Sequence, residues 1–208
     1  MSVNHILLPS YWGREVRHTH IKQDSKVLAV IFPGKNYSAE RPLLDYAAKV
    51  AKEYNCDILL LEYGYQSARV DLQREQMGII VEECQTAITS IPVYEKYMFI
   101  SKSMGTVIAG RVASELDIQK KTSHLYLTPI PEAIPFIQQS AGSVIYGSID
   151  PLFTDQHSQE IDALGNIRIY RIDDANHALE VGTVNESLAI LIVIINLYHE
   201  YFTDVLKG

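Results

Sequence analysis

The sequence predicts an α/β fold, with a mostly parallel central sheet, helices on both faces and an antiparallel hairpin at the N-terminal edge. Three observations lead there. Short runs that are apolar throughout, such as KVLAVIF (26–32) and DILLLEY (57–63), alternate with segments of helical spacing. Strands apolar at every position suit a parallel sheet buried on both sides, because neither face of such a strand meets water. The first 22 residues instead alternate and turn at Tyr11-Trp12-Gly13, the pattern of a half-exposed hairpin.

The elements follow in order. Lys26–Phe32 is the first strand of the parallel series and ends at Pro33-Gly34. Ser38–Tyr54 has helical spacing, with Leu43, Leu44, Ala47, Val50 and Ala51 on one face. Asp57–Tyr63 is the second strand, closed by Gly64, and Arg69–Ser90 is a longer helical stretch. Tyr97–Ile100 is a short strand that runs into a helix over Ser103–Leu116, whose first turns carry only small side chains at Thr106, Ala109 and Gly110. His124–Leu127 and Ser143–Tyr146 are further strands, separated by room for one short helix over Glu132–Gln139. Gln156–Leu164 is expected to be helical, Ile167–Ile172 extended and Asn185–Phe202 helical. No repeat, low-complexity tract or linker divides the chain, so residues 1–208 are expected to form a single domain.

Composition narrows the function. Hydrophobic residues make up 47% and charged residues 21%, as in a globular domain. A net charge of -7 repels phosphate backbones and argues against nucleic acid as a partner. The two cysteines, Cys56 and Cys84, stand apart from any CxxC or Cys/His cluster and read as buried thiols of a reducing compartment. The N-terminus lacks a basic stretch followed by a long apolar one, and the most apolar run, Leu188–Leu197, is about ten residues, short of the ~20 that span a bilayer. That run is expected to be a buried helix, and the protein is expected in the cytoplasm without membrane insertion. Acids and histidines show no ligand spacing such as HExxH, so no metal or organic cofactor is expected.

In an open parallel sheet, ligands bind beyond the carboxyl ends of the strands. Four such ends carry candidate residues. The strand before Ser103 runs into Ser101-Lys102-Ser103-Met104-Gly105. A serine held on a sharp strand-to-helix turn needs small residues two before and two after it, because backbone meets backbone there. A serine at such a junction also serves as an ordinary helix cap, so the motif alone leaves both roles open. Gly147-Ser148-Ile149-Asp150 follows SVIY and places an acid just past a strand end, with Asp155 in the same loop as a competitor. His177, in DANHALE, follows the last strand, and no other histidine holds a matching position. Serine, acid and histidine thus appear in the chain order of the strand-elbow hydrolases. A serine hydroxyl is a poor nucleophile until an imidazole takes its proton and a carboxylate fixes the imidazole's tautomer. The fourth end is Phe32-Pro33-Gly34-Lys35-Asn36-Tyr37. An oxyanion needs one N–H from the residue after the nucleophile, here Met104, and one from the loop after an early strand, here Lys35. Tyr37 is a candidate for pointing its hydroxyl at substrate.

With FPGKNY, ISKSMG, IYGSID and DANHALE in place, the chain resembles the α/β-hydrolase superfamily over about residues 25 to 205. More narrowly, it is similar to small lidless bacterial members related to dienelactone hydrolases and carboxylesterases. The resemblance implies Ser103 as nucleophile, Asp150 as acid, His177 as base, and main-chain donors at Met104 and Lys35. Two departures stand out. Ser101 occupies a position where the family usually has glycine, and Pro33-Gly34 replaces the common His-Gly pair of the oxyanion loop. Dienelactone hydrolases use a cysteine nucleophile, which neither cysteine here can supply, so their substrate does not carry over. The short stretch between the strand after the elbow and the acid leaves no room for a sizeable cap. The expected cleft is open, or covered by the Glu132–Gln139 helix and the Gln66–Asp71 loop. The expected function is hydrolysis of a small soluble carboxylic ester or thioester. An inactive binding protein on a hydrolase fold and an amidase or peptidase are the alternatives.

Overall fold

A computed structural model describes residues 1–162 and 166–207, and its eight strands form one sheet in the order β1-β2-β4-β3-β5-β6-β7-β8. The strands are β1 (Ser2–Pro9), β2 (Glu15–Lys22), β3 (Val27–Phe32), β4 (Asp57–Leu60), β5 (Lys96–Lys102), β6 (Thr122–Leu127), β7 (Ala141–Gly147) and β8 (Ile167–Ile172). β1 and β2 form the expected antiparallel hairpin, β2 pairs antiparallel with β4, and every pair from β4 through β8 is parallel. The register aligns the strand ends that carry the candidate residues. Phe32 pairs with Ser101, Ser101 with Tyr126, Leu127 with Ile145, and Gly147 with Ile172.

Strand side chains alternate between two helix layers, as a period of two requires. Ala29 and Ile31 face one cluster, which holds Leu44 and Ala47 of α1 (Pro42–Glu53) and Tyr198 and Phe202 of α7 (Val184–Lys207). Leu28, Val30 and Phe32 face the other, with Ile80 and Cys84 of α3 (Met77–Thr89) and Ile108 and Val112 of α4 (Met104–Glu115). The remaining helices are α2 (Gly64–Ala68), α5 (Ile134–Ile137) and α6 (Asp155–Asp162). The short helix between β6 and β7 buries Ala133 and Ile137 beside Val107 of α4 and belongs to the core. Both cysteine thiols are buried and free; burial raises the Cys56 pKa to about 12 and that of Cys84 well above its ordinary value.

Several boundaries differ from the sequence reading. Helix α1 starts at Pro42 rather than Ser38, since proline suits a helix's first turn. The long Arg69–Ser90 stretch is helical in one piece only from Met77; Arg69 is left-handed at φ 56° and ends α2. The expected helix over Gln156–Leu164 is described to Asp162, and Ala163 and Leu164 lie outside the described residues. The largest correction concerns α7. It has 24 residues, and by length and composition it is long and apolar enough to cross a membrane. It is also not wholly buried. Ile194, Tyr198, Tyr201 and Phe202 pack inward, and Tyr198 donates to the Leu43 carbonyl at 3.1 Å, whereas Val184, Leu188, Ile192 and Val193 are exposed. Two causes combine. The 24 residues extend about 36 Å, while strands of six or seven residues span about 20 Å, so the first turns of α7 extend past the strand ends. Further along, Ile190, Leu191 and Ile194 face the core while Ile192 and Val193 face outward.

Three histidines are buried in the sheet: His18 and His20 on the inward face of β2, and His124 in β6. His20 bonds the Tyr94 hydroxyl at 3.0 Å, which in turn donates to Asp57 at 2.7 Å. His124 stacks on Tyr126 at 4.9 Å, and its Nδ1 has no partner among the described residues. Burial lowers the His18 pKa to about 4 and the His124 pKa to about 3. The unfolded chain therefore takes up protons below pH 6.5 that the folded chain refuses. Stability is fully present above pH 6.5 and falls as the pH drops toward 4, by about 1.4 kcal/mol per pH unit for each of these two histidines. Urea unfolding at pH 7, 6 and 5 is expected to show this decline, and His124→Phe to lessen the slope by about one histidine's share. An unchanged slope in the variant would refute the assignment.

Candidate active site

The turn between β5 and α4 is shaped by a close approach. Ser103 has φ 51° and ψ −120°, a conformation a non-glycine residue rarely adopts. It lets α4 start at once, with its first N–H groups directed at the carboxyl edge of the sheet. A Cβ at Gly105 would lie 2.3 Å from the Pro33 carbonyl oxygen and 2.7 Å from that of Phe32, so no larger residue fits. The departure at Ser101 introduces no backbone strain, since it sits in regular pairing between β3 and β6. Its side chain is fully buried and its hydroxyl has no partner among the described residues.

The acid and histidine loops are joined just as tightly. A Cβ at Gly147 would come 2.1 Å from the Ala175 carbonyl oxygen. Ile149 N–H donates to that carbonyl at 3.0 Å, and Asp174 N–H donates to the Ser148 hydroxyl at 2.8 Å. Asp150 accepts from the N–H groups of Leu152 and Phe153 through Oδ1, at 2.8 and 3.3 Å. Its Oδ2 lies 2.8 Å from His177 Nδ1, and His177 Nε2 lies 2.9 Å from Ser103 Oγ. With the proton on Nδ1, the imidazole donates to Asp150 and accepts from the serine hydroxyl. The Asp150 side chain is fully buried while that of His177 is 26% exposed, so the carboxylate is dry and the imidazole meets the cleft. Asp155, the competing acid, is engaged elsewhere: it accepts from the Tyr146 hydroxyl at 2.7 Å and pairs with Arg171 at 3.0 Å.

The loop after β3 folds over this chain of bonds. Gly34 and Tyr37 bond each other's main chains, and the Gln66 side chain donates to the Gly34 carbonyl at 2.8 Å. The same Gln66 amide donates to the Tyr65 hydroxyl at 3.0 Å. Among the described residues neither the Lys35 N–H in the loop nor the Met104 N–H at the start of α4 has an acceptor, and the Asn36 N–H beside Lys35 is free as well. A Cβ on Gly34 would lie 3.6 Å from that of Ser103, so the loop runs directly beside the serine. The Tyr37 hydroxyl does not face the serine; it accepts from the Leu43 N–H at 3.1 Å, in the first turn of α1.

No family model and no curated protein sequence matches the chain. Solved structures match it along nearly its whole length. An α/β serine hydrolase homologue from Coxiella burnetii is 14% identical, with a TM-score of 0.70, over 95% of this chain and 96% of that one. A lidless α/β serine hydrolase from Xanthomonas campestris is 13% identical, with a TM-score of 0.64 over 93% and 92%. A dienelactone hydrolase from Anabaena variabilis is 13% identical, with a TM-score of 0.64 over 96% and 98%. The chain has the α/β-hydrolase fold.

On this hydrolase fold, sequence reasoning brought together Ser103, Asp150 and His177, and it found the two loops that carry Met104 and Lys35. It missed the side chains around them: Gln66, which holds the loop after β3, and Lys102 and Thr128, which bond each other at 3.0 Å. Lys102 left a signal, a lysine closing an otherwise apolar strand. A groove of about 530 Å³ runs past the site between the histidine loop, α1 and the overhanging end of α7. Its walls include both chain neighbours of His177 and the apolar side chains of Ile149, Val184, Leu188 and Leu191. Gly105→Ala is expected to destabilise the protein by about 1–3 kcal/mol through overpacking, whereas Ser101→Ala, which removes an unpartnered hydroxyl, is neutral or stabilising. Chemical denaturation of both variants checks this; a stable Gly105→Ala protein would contradict the close approach.

Proposed function

We propose that the protein is a serine hydrolase that cleaves a small carboxylic ester or thioester through an acyl-enzyme on Ser103. The observation that supports it is the unbroken chain from Asp150 through His177 to Ser103, at 2.8 and 2.9 Å. Ser103 Oγ attacks the carbonyl carbon while its proton passes to His177 Nε2. The N–H groups of Met104 and Lys35 receive the developing oxyanion, a contact worth roughly 10²–10³ in rate per donor in related sites. The tetrahedral intermediate expels the alcohol or thiol, which takes the proton from His177. Water then attacks the acyl-enzyme, with the same imidazole as base, and carboxylic acid leaves. Asp150 holds the reactive tautomer and stabilises the imidazolium. These steps use only side chains and main-chain donors of this chain and a small-molecule substrate.

The groove beside His177 suits an apolar arm of that substrate. Ile149, Val184 and Leu188 are all exposed on its wall and would lose water against a hydrocarbon chain. The exposed half of α7 thus gains a role that a merely overhanging helix lacks.

A fluorophosphonate probe is expected to label the wild type at Ser103 and to leave folded Ser103→Ala unlabelled. Asp150→Asn is expected to slow labelling by roughly 10³–10⁴-fold, by analogy with the wrong-tautomer effect in a related triad, and Asp155→Asn by less than about tenfold. No labelling of folded wild type would sink the enzyme reading and leave a binding protein. With p-nitrophenyl esters, kcat/KM is expected to rise about fourfold per methylene from acetate to butyrate, the worth of ~0.8 kcal/mol each. Leu188→Asp is expected to flatten that rise; an equal rise in the variant would remove the groove from substrate binding.

A further inference from the structure

His177 is held by its ring at both nitrogens, yet its main chain has a single hydrogen-bond partner among the described residues. That partner is the ammonium of Lys102, which donates to the His177 carbonyl oxygen at 3.0 Å. Lys102 is the last residue of β5, directly before Ser103, and is 3% exposed. Its ammonium also donates to Thr128 Oγ1 at 3.0 Å and lies 4.9 Å from the centre of the Tyr37 ring. The three contacts sit on three different loops, those after β8, β6 and β3. Thr128 is itself buried and held in a left-handed conformation at φ 42°.

A buried ammonium is expensive, and an apolar side chain would fill the same space without that penalty. Here the charge is compensated by two hydrogen bonds, the face of Tyr37 and the carboxylates of Asp150 and Glu180. We propose that Lys102 is a positioning residue, whose ammonium clamps the histidine loop through the His177 carbonyl and so sets the reach of the imidazole to Ser103. This rests on the acyl-transfer reading above.

The charged and titratable groups around the ammonium are Asp150 from the loop after β7, His177 and Glu180 from that after β8, and Tyr37 from that after β3. Burial draws the Lys102 pKa down to about 8, although Asp150 and Glu180 pull it upward. As pH rises through this value the bond to the carbonyl changes from charge-assisted to neutral and weakens. Activity is therefore expected to decline above about pH 8.

The test is the rate of fluorophosphonate labelling at Ser103 between pH 6.5 and 9.5, with ester kinetics beside it, for the wild type, Lys102→Met and Lys102→Arg. The wild-type rate is expected to fall above about pH 8. Lys102→Met is expected to label roughly 10- to 100-fold more slowly, as a slightly misplaced base does. Its KM should stay within about threefold, and its rate should show no decline near pH 8. Lys102→Arg keeps its charge across this range, recovers part of the rate and also lacks the decline. A wild-type rate that stays flat to pH 9.5 overturns the proposal without any variant. So does Lys102→Met labelling at the wild-type rate, or a decline near pH 8 that persists in Lys102→Met. If Lys102→Met does not fold, a decline that persists in Lys102→Arg overturns it equally. Wild type that takes no label at all overturns the acyl-transfer reading instead, and this one with it.

Discussion

Helix α4 comes so near the end of β3 that only a hydrogen atom fits between Gly105 and the carbonyls of Phe32 and Pro33. That approach fixes the rest of the site. It forces the chain to turn within one residue, and that residue, Ser103, takes up the positive φ. It also brings the loop after β3 beside the serine, where a Cβ on Gly34 would lie 3.6 Å from that of Ser103. A Cβ at position 105 would push α4 and β3 apart and move the Met104 main chain away from the loop that carries Lys35. The strain at Ser103 persists because parallel pairing on both sides of β5 and the packing of α4 over-determine the turn.

A second close contact, between Gly147 and Ala175, does for Asp150 and His177 what Gly105 does for Ser103. It locks the loops after β7 and β8 to each other but not to the elbow. Lys102 joins the two halves, because it leaves the elbow strand and ends on the His177 carbonyl. The site is thus three pieces: the β5–α4 turn, the loop after β3 and the joined loops that carry Asp150 and His177. They meet around one buried positive charge. A hydrogen bond to that carbonyl from a neutral group would hold the same geometry less firmly, since charge assistance roughly doubles such a bond.

How much of this was legible in the sequence follows from how local each signal is. Apolar runs between helical segments report burial of strands on both faces, and the sheet has that form. Ser103, Asp150 and His177 were legible because each stands a fixed, short distance past a strand end. The Tyr37 hydroxyl is engaged by the Leu43 N–H, a local helix-start contact, while Tyr37 itself lines the groove beside His177. The burial of α7 was overestimated, because an apolar run shows hydrophobicity but not whether the surface facing it is long enough to cover it. Gln66 and Thr128 left no pattern. Their roles depend on which loops the fold brings together, and that information lies in no single stretch of chain.

Lys102 lies between these cases, and Ser101 beside it answers a different constraint. Strand residues alternate in direction, so positions 101 and 102, the last two of β5, face opposite sides of the sheet. The small side chain at 101 is demanded by the crowding around α4, and serine meets it at the expense of one unpartnered hydroxyl. Position 102 meets the opposite condition: a space roomy enough for a lysine stem and closed by polar loop ends. The two departures from an all-apolar strand end are therefore independent. Serine at 101 is tolerated, whereas lysine at 102 has a defined partner on every side of its ammonium. Lys102 is kept at that solvation cost and aimed at the main chain of His177, so a change of this one side chain acts first on the position of the imidazole.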